Sequence, residues 1–264
     1  MTDYHVITRE RHGDQYWLKQ SGHSFAAGDA LCPLVAQELP KAVLFVPIGF
    51  IAEGDHFMPV AVQGLTPGQN LFVAADGRWL ASYIPNPYRA YPFRMAPTEQ
   101  GEQVLCIDEA SGLLSESAGE PFFNEDGTPA QSVQEILAFF NQIDANRQLT
   151  RSICAVLQQH GLIQLWPITV QGEQGEQKVE GLFRIDEAAL NALTAEALAE
   201  VRNTGGLTVA YCQLLSIQHL STLGTLAQAH AEAEKNQLAQ EALVQNGELH
   251  LGFMNDSGTF SFGH

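Results

Sequence analysis

Three arginines and a run of aromatic side chains stand together in residues 64–94, GLTPGQNLFVAADGRWLASYIPNPYRAYPFR. Arg78, Arg89 and Arg94 are accompanied there by a single acid, Asp76. A guanidinium can bind a carboxylate or phosphate through two parallel hydrogen bonds, and aromatic rings add flat apolar surface and cation–π contacts. This combination predicts a ligand or peptide groove in which Arg89 and Arg94 hold an anionic group.

The candidate ligand-binding residues lie in residues 78–94, which we call the aromatic–arginine block. They are Trp79, Tyr83, Tyr88, Arg89, Tyr91 and Arg94. In this interpretation the rings stack on the ligand and the arginines bind its anion. A structural interpretation stays open beside it, in which the arginines pair with acids of the same chain. The prolines and rings of the block would then build a stiff corner of the core.

Signatures of common catalytic and cofactor sites are absent from the sequence. The chain has no P-loop, no GxGxxG, no GxSxG and no HExxH pattern. Two His-x-acid pairs remain, His12 with Asp14 and His230 with Glu232. The second pair falls on a predicted helix, where positions i and i+2 point apart, and the first would need His23 to complete a metal site. We therefore predict no metal and no cofactor, and we assign no catalytic residue.

The four cysteines, Cys32, Cys106, Cys154 and Cys212, are far apart, and each lies in an apolar stretch. None of the spacings is that of a CxxC pair or a zinc knuckle. This pattern predicts four buried free thiols in a reducing compartment. The N-terminal segment also lacks the apolar region of a secretion signal, so a cytoplasmic location is the expectation.

Acidic residues far outnumber basic ones. The chain of 264 residues has 30 Asp and Glu against 13 Lys and Arg, a net charge of −17. Binding to nucleic acid or to anionic lipid depends on Lys and Arg, so both classes of partner are disfavoured. The longest apolar run, residues 42–52, contains Pro47 and Gly49 and is shorter than the roughly 20 residues of a membrane-spanning helix. We expect a soluble protein without an integral membrane segment, whose partner is a protein, a peptide or a small anionic ligand.

The elements that must position the block begin with strands. Residues 42–51 form a continuous apolar run that predicts a buried strand. Residues 70–75 and 78–84 flank Asp76-Gly77, a dipeptide typical of a tight hairpin turn. The first 115 residues as a whole predict a twisted antiparallel sheet.

Helical patterns dominate after residue 130. Residues 132–144 place apolar side chains at helical spacing, and Ser132 with Glu135 predicts a capping box at the start of that helix. Residues 150–160 predict a second helix, ending at Gly161.

The C-terminal part predicts one long helix. Residues 216–245 are rich in Ala, Gln, Leu and Glu, with an apolar stripe that weakens toward the end. The predicted fold class is α+β: an antiparallel twisted sheet from the N-terminal half, covered by helices from the C-terminal half, with a long C-terminal helix. The predicted organisation is an N-terminal arm (1–30), an α+β domain (31–225), and a C-terminal helix extension and tail (226–264).

Several segments resemble the SapC family of bacterial proteins. They are ELPKAVLFVPI (38–48), MPVAVQGLTPGQNLFV (58–73), DGRWLASYIPNPYRAYPFRM (76–95), FFNEDGTP (122–129), GLFRIDEAALNALTAEAL (181–198) and LLSIQHLSTL (214–223). The resemblance covers about residues 30–225, so the α+β domain is SapC-like. It implies an accessory role linked to bacterial cell-surface (S-layer) or outer-membrane systems, and it assigns no catalytic residues.

Three functions follow as hypotheses. In the first, the chain is an accessory protein that binds a small molecule, a peptide or a protein through the aromatic–arginine block. In the second, it is an enzyme acting on a small or peptidic substrate, with Tyr83, Tyr91 or a histidine of the N-terminal arm as the acid or base. In the third, it is a structural homo-oligomer held through the helix at residues 220–242.

Overall fold

The computed structural model describes residues 3–172 and 175–245, which form short strands and eight α-helices. The strands are β1 (Tyr4–Val6), β2 (Tyr16–Trp17), β3 (Leu31–Pro33), β4 (Ile48–Glu53), β5 (His56–Val62), β6 (Phe93–Pro97), β7 (Gln103–Asp108), β8 (Leu114–Ser115), β9 (Glu120–Pro121), β10 (Ile163–Leu165), β11 (Ile168–Gly172), β12 (Gly175–Val179) and β13 (Phe183–Ile185). The helices are α1 (Arg9–His12), α2 (Leu39–Ala42), α3 (Asn86–Arg89), α4 (Gln131–Gln159), α5 (Glu187–Asn191), α6 (Ala195–Asn203), α7 (Gly206–Ser216) and α8 (Leu220–Gln245).

The strands pair antiparallel in four sheets. The largest has the order β10-β13-β4-β5-β3, and two three-stranded sheets have the orders β1-β7-β6 and β8-β2-β9. β11 and β12 form a separate hairpin. The predicted α+β class, antiparallel pairing and long C-terminal helix are confirmed. The strands are spread over several sheets, and β10 and β13 from the second half of the chain join the largest one.

Helix α7 links the two central strands of the five-stranded sheet through a buried amide. Gln213 is 0% exposed. Its Nε2 donates to the carbonyl of Ile48 on β4 at 3.1 Å, and its Oε1 accepts from the amide of Ile185 on β13 at 2.9 Å. Those backbone groups lie where β4 and β13 have little pairing of their own, only Phe183 with Phe50. The helix therefore satisfies polar groups that the sheet leaves open.

Helix α4 is one continuous helix, so the prediction of two helices at 132–144 and 150–160 was wrong. The chain between them contains no glycine or proline to break a helix. Two side chains also bond back to the preceding turn: Asn146 Nδ2 donates to Gln142 O at 2.8 Å, and Thr150 Oγ1 donates to Asn146 O at 2.6 Å. The helix ends where predicted, before Gly161, which has a φ of +65°.

The predicted capping box at the start of α4 was also wrong. The N-cap is Ala130, which has no side chain able to accept a hydrogen bond, and Ser132 lies inside the first turn. Ser132 Oγ contacts Pro121 O at 3.5 Å instead. The start of α4 therefore has no side-chain cap.

Two strand predictions in the first half are only partly right. In residues 42–51 the strand begins at Ile48, because α2 and a following turn occupy the first part. The tight turn at Asp76-Gly77 forms, with Gly77 at a φ of +81°, but its flanks make only a single bridge, between Val73 and Trp79. Backbone groups before the turn bond elsewhere: Asn70 N donates to Ala27 O at 2.8 Å.

A hydrophobic cluster lies under the start of α4. Its buried members come from β2, β6, β7, the residue after β9, and α4 itself: Trp17, Phe93, Leu105, Ile107, Phe122 and Val133. Trp17 and Phe93 meet edge to face at 4.9 Å between ring centroids. The N-terminal segment thus contributes core residues, and the cluster fixes α4 relative to the block.

The chain divides into two units, Met1–Leu223 and Gly224–His264. The first contains all the sheets and α1–α7. The second contains α8 from Gly224 onward. Among the described residues, no helix is long and apolar enough to span a bilayer.

Candidate functional site

Two neighbouring grooves open beside α3, on the side that faces α4. We call the larger one, of about 520 Å³, groove A. Its wall includes Trp17, Gln20, Arg89, Tyr91, Phe93, Gln131, Ser132 and Phe139. The smaller one, of about 270 Å³, is groove B, and its wall includes Glu38, Lys41, Tyr83, Asn86, Arg89, Phe139 and Asn146. Arg89 and Phe139 belong to both grooves.

Arg89, the last residue of α3, stands between the two grooves. Its side chain is exposed, and its guanidinium carbon lies 5.6 Å from the centroid of the Phe139 ring. One nitrogen donates to Asn86 Oδ1 at 3.2 Å. Within the described part of the chain, Arg89 forms no salt bridge with any carboxylate. Its other donors are therefore available to an anion from outside.

Tyr83 and Glu38 form a buried hydrogen-bonded pair in the wall of groove B. Glu38 is 6% exposed. Its Oε1 accepts from the Tyr83 hydroxyl and, at 2.9 Å, from the backbone N–H of Asn86. Its Oε2 accepts from the backbone N–H of Val35 at 3.1 Å. Burial, with the nearby Glu38 carboxylate, raises the pKa of the Tyr83 phenol. Tyr83 therefore stays protonated at neutral pH and can donate a hydrogen bond.

Trp79 and Tyr88 lie on the inner side of the block and line neither groove. The Trp79 indole N–H donates to Tyr83 O at 2.8 Å, and its ring stacks on Phe72 at 5.8 Å. Tyr88 is 4% exposed, and its hydroxyl donates to Gln63 Oε1 at 2.8 Å. Both side chains hold the block in position.

Tyr91 and Arg94 follow α3, and only Tyr91 lines a groove. Tyr91 lines groove A and stacks on Phe25, with 3.8 Å between the ring centroids and 3° between the planes. Burial and the neighbouring Asp108 carboxylate raise the pKa of its phenol. The Arg94 guanidinium lies 3.9 Å from the centroid of the Tyr4 ring and lines neither groove. The two arginines of the predicted anion site are thus not brought together.

Other groove residues were missed by the sequence analysis. Trp17 and Gln20 fall in the segment interpreted as an N-terminal arm, and Glu38 lies well before the block. Phe139 lies beside the apolar stripe of α4, which runs through Phe140. Phe139 could have been found from the sequence, because an aromatic residue outside the apolar stripe of an amphipathic helix indicates a contact other than the core.

The histidines of the N-terminal segment do not form the metal site considered above. His12 is fully buried, and its Nδ1 accepts from the Thr8 amide at 3.3 Å, while His23 packs against Trp79 with 5.6 Å between ring centroids. Among the described residues one group has the spacing of metal ligands, namely Asp3, His5 and Glu109, with ligand atoms within 4.8 Å of one another.

Glu109 in that group is already engaged. The Arg11 guanidinium donates to both of its carboxylate oxygens, one of them at 2.8 Å. This hydrogen bonding lowers the pKa of Glu109.

All four cysteines are free and buried, as predicted. Burial raises the pKa of each thiol, to about 12 for Cys154. A nucleophilic cysteine needs a depressed pKa, so none of the four has the surroundings of one.

In a comparison with protein families, the SapC family model matches residues 7–223. No curated protein matches the chain, and no solved structure does. The matched range contains both grooves and every residue of the aromatic–arginine block. The chain belongs to the SapC family.

Proposed function

We propose that the chain is a ligand-binding accessory protein, and that groove A binds a small molecule or peptide with an apolar part and an anionic group. Arg89 binds the anion in this proposal. One observation carries it: within the described residues, Arg89 opens into an aromatic groove without a carboxylate partner, in a chain with 30 acids and 13 basic residues.

The size and lining of groove A support this function. Its volume of about 520 Å³ falls in the range typical of small-molecule sites. Trp17, Tyr91, Phe93 and Phe139 supply aromatic surface, and four charged side chains share the wall with them: Lys19, Arg89, Glu120 and Glu135. A wall that combines aromatic surface with polar groups able to orient a ligand is typical of a binding site.

The six residues of the block take different roles in the proposal. Arg89 and Tyr91 contact the ligand. Tyr83 lines groove B, and Trp79 and Tyr88 hold the block in place through their contacts with Tyr83 and Gln63. Arg94 packs on Tyr4 outside both grooves. The aromatic–arginine block is then part site and part structural corner.

The role we propose is that of a cytoplasmic accessory to a cell-surface or outer-membrane system. The four buried free thiols support a reducing compartment. Location can be measured by fractionating cells that express the tagged chain, with a cytoplasmic and a periplasmic marker followed in parallel.

Calorimetric titration with 4-phenylbutyrate tests the binding function. This probe carries one aromatic ring and one carboxylate, so it presents both of the features that groove A would recognise. Arg89→Ala should weaken binding about ten-fold or more, because a hydrogen bond to a charged group contributes about 1.5–3 kcal/mol. Arg94→Ala is the matched control, an exposed arginine of the same block outside both grooves, and should leave the affinity unchanged.

Two results would contradict the proposal. One is the absence of binding to the unaltered protein, both for the probe and for any small molecule retained in native mass spectra of the purified chain. The other is equal weakening by Arg89→Ala and Arg94→Ala, since this would place the effect in the stability of the block. Melting temperatures of both variants separate loss of binding from loss of folding.

A further inference from the structure

The acidic side chains of groove A already have partners. Glu120 lies 3.9 Å from the Lys19 ammonium, measured between the charged atoms. Glu135 accepts from the Gln131 side-chain amide at 3.0 Å. The Glu120 carboxylate is therefore paired with a cation, whereas the Glu135 carboxylate is hydrogen-bonded to a neutral amide.

Some donors of groove A, by contrast, have no partner in the described residues. The Trp17 indole N–H has no hydrogen-bond partner within the described chain, although this residue is only 7% exposed. A buried donor without a partner costs about 1–3 kcal/mol, so such groups in native proteins call for an explanation. Arg89 adds a guanidinium without a carboxylate partner, as described above.

The start of α4 adds further donors to the same groove. This helix of 29 residues begins after Ala130, which provides no side-chain cap. No acceptor among the described residues serves the backbone N–H groups of Gln131, Ser132 and Val133, and the first two of these residues line the groove. Free N–H groups at a helix N-terminus carry partial positive charge and bind anions.

One acceptor in the groove wall is also unpaired. Gln20 Nε2 donates to Tyr88 O at 2.9 Å, whereas Gln20 Oε1 has no partner in the described residues. Among the buried side-chain atoms of the groove A wall, Trp17 Nε1 is thus an unpaired donor and Gln20 Oε1 an unpaired acceptor. Trp17 Nε1 and Gln20 Oε1 are both covered by neighbouring atoms, so their pairing with a ligand requires a small movement of the groove side chains.

Resting on the binding function proposed above, we propose that groove A holds the C-terminal residue of a peptide. The terminal carboxylate binds to Arg89 and to the N-terminus of α4. The backbone N–H of the peptide's C-terminal residue donates to Gln20 Oε1. The side chain of that residue is apolar and packs on Phe93 and Phe139. A peptide C-terminus fits better than an isolated carboxylate, because it places one N–H donor directly beside a carboxylate. This matches the buried unpaired acceptor Gln20 Oε1 together with the unpaired donors of Arg89 and of the α4 N-terminus.

Two peptides that differ only at the terminus test this inference by calorimetry. They are acetyl-Gly-Ala-Ala-Phe with a free carboxylate and the same peptide as the C-terminal amide. The free acid should bind about ten-fold more tightly or better, as expected for hydrogen bonds to a charged group. Arg89→Ala should remove this difference, and Arg94→Ala should preserve it.

Gln131→Pro tests the contribution of the helix N-terminus. Proline is favoured at the first position of a helix and removes its N–H group, and the extended backbone of Ala130 suits a residue before proline. Gln131→Ala controls for the lost side chain. We expect Gln131→Pro to bind the free acid several-fold more weakly than Gln131→Ala does, with no difference between the variants for the amide.

Equal affinity for the acid and the amide overturns the inference, and so does failure of both peptides to bind. Neither result decides the proposed function, which the titration with 4-phenylbutyrate tests separately. If Arg89→Ala fails to fold, Arg89→Lys replaces it in this test. Lysine keeps the positive charge but cannot bind a carboxylate through two parallel hydrogen bonds. The inference then requires a reduced preference of Arg89→Lys for the acid.

Discussion

At the scale of single residues, Glu38 joins two parts of the chain that are distant in sequence. It is buried, and it accepts three hydrogen bonds, from Val35 N, Asn86 N and the Tyr83 hydroxyl. The carboxylate thus ties the turn before α2 to the start of α3. Because α3 ends with Arg89, the position of the guanidinium depends on this carboxylate.

We predict that Glu38→Ala destabilises the fold by about 2–4 kcal/mol, since it leaves buried donors without an acceptor. Tyr83→Phe should cost less, about 1 kcal/mol, because the two amide donors keep their acceptor. Urea unfolding of the variants measures both values. A free energy of unfolding that is unchanged in Glu38→Ala would contradict the role assigned to this residue. Glu53→Ala, in an exposed position at the end of β4, is a suitable control.

Part of the candidate site could be predicted from residue types alone. The density of arginine and aromatic residues in the block led to Arg89 and Tyr91. Residue types could not distinguish the groove residues Arg89 and Tyr91 from Trp79 and Tyr88, because the identity of a ring does not show whether it faces the core or the surface. Trp17 and Gln20 lie far from the block in sequence and meet it only through the packing of β2 beside β6. Long-range contacts of this kind leave no local pattern.

At the scale of elements, α7 provides the buried Gln213 that bonds to β4 and β13. We predict that Gln213→Leu destabilises the fold by about 1–3 kcal/mol, because it leaves the buried Ile185 amide unpaired and leaves the Ile48 carbonyl with only the long bond from Ser216 Oγ, at 3.4 Å. Gln218→Leu, at an exposed position just after α7, should change stability by less than about 0.5 kcal/mol. Urea unfolding compares the two variants. Equal stability would show that the backbone groups of Ile48 and Ile185 find other partners.

The helices were easier to predict than the strands. Apolar side chains at helical spacing predict helices over residues 132–144 and 150–160, and both belong to α4. The residues between them were not predicted as helix, because they contribute little to an apolar stripe and the positions that α4 buries there include Asn146 and Thr150. Short strands gave weaker signals. β2 and β9 have two residues each, too few for an alternating pattern. β13 pairs with β4 across more than 100 residues of chain, and β10 joins the sheet through β13.

At the scale of the whole molecule, charge is the dominant feature. The net charge is −17, and exposed ion pairs such as Arg78 with Asp76 compensate little of it. Repulsion among the remaining carboxylates opposes the compact state. We predict that raising NaCl from about 20 to 300 mM increases the melting temperature by a few degrees, since the Debye length falls below about 10 Å in that range.

Differential scanning calorimetry measures this effect, and KCl in place of NaCl controls for a specific ion. A melting temperature that falls with salt would mean that attractive ion pairs outweigh the repulsion.

Assembly through the helix at residues 220–242, the third hypothesis above, is tested by an Asp substitution in that helix, and Leu223 is unsuitable for it. Leu223 is 1% exposed, so its replacement by Asp would disturb the core. Leu238 on α8, which is 59% exposed, is the position to alter when mass is measured against concentration.

The four buried thiols give the protein a built-in set of kinetic reporters. Cys32 lies on β3, Cys106 on β7, Cys154 in α4 and Cys212 in α7, so two strands and two helices carry one thiol each. An alkylating reagent reacts only with an exposed thiolate, and therefore only when the element around a cysteine opens. The rate at each position, read by mass spectrometry of peptides, gives the free energy of that opening without any label being introduced. The native cysteines therefore allow the order in which these four elements open to be measured.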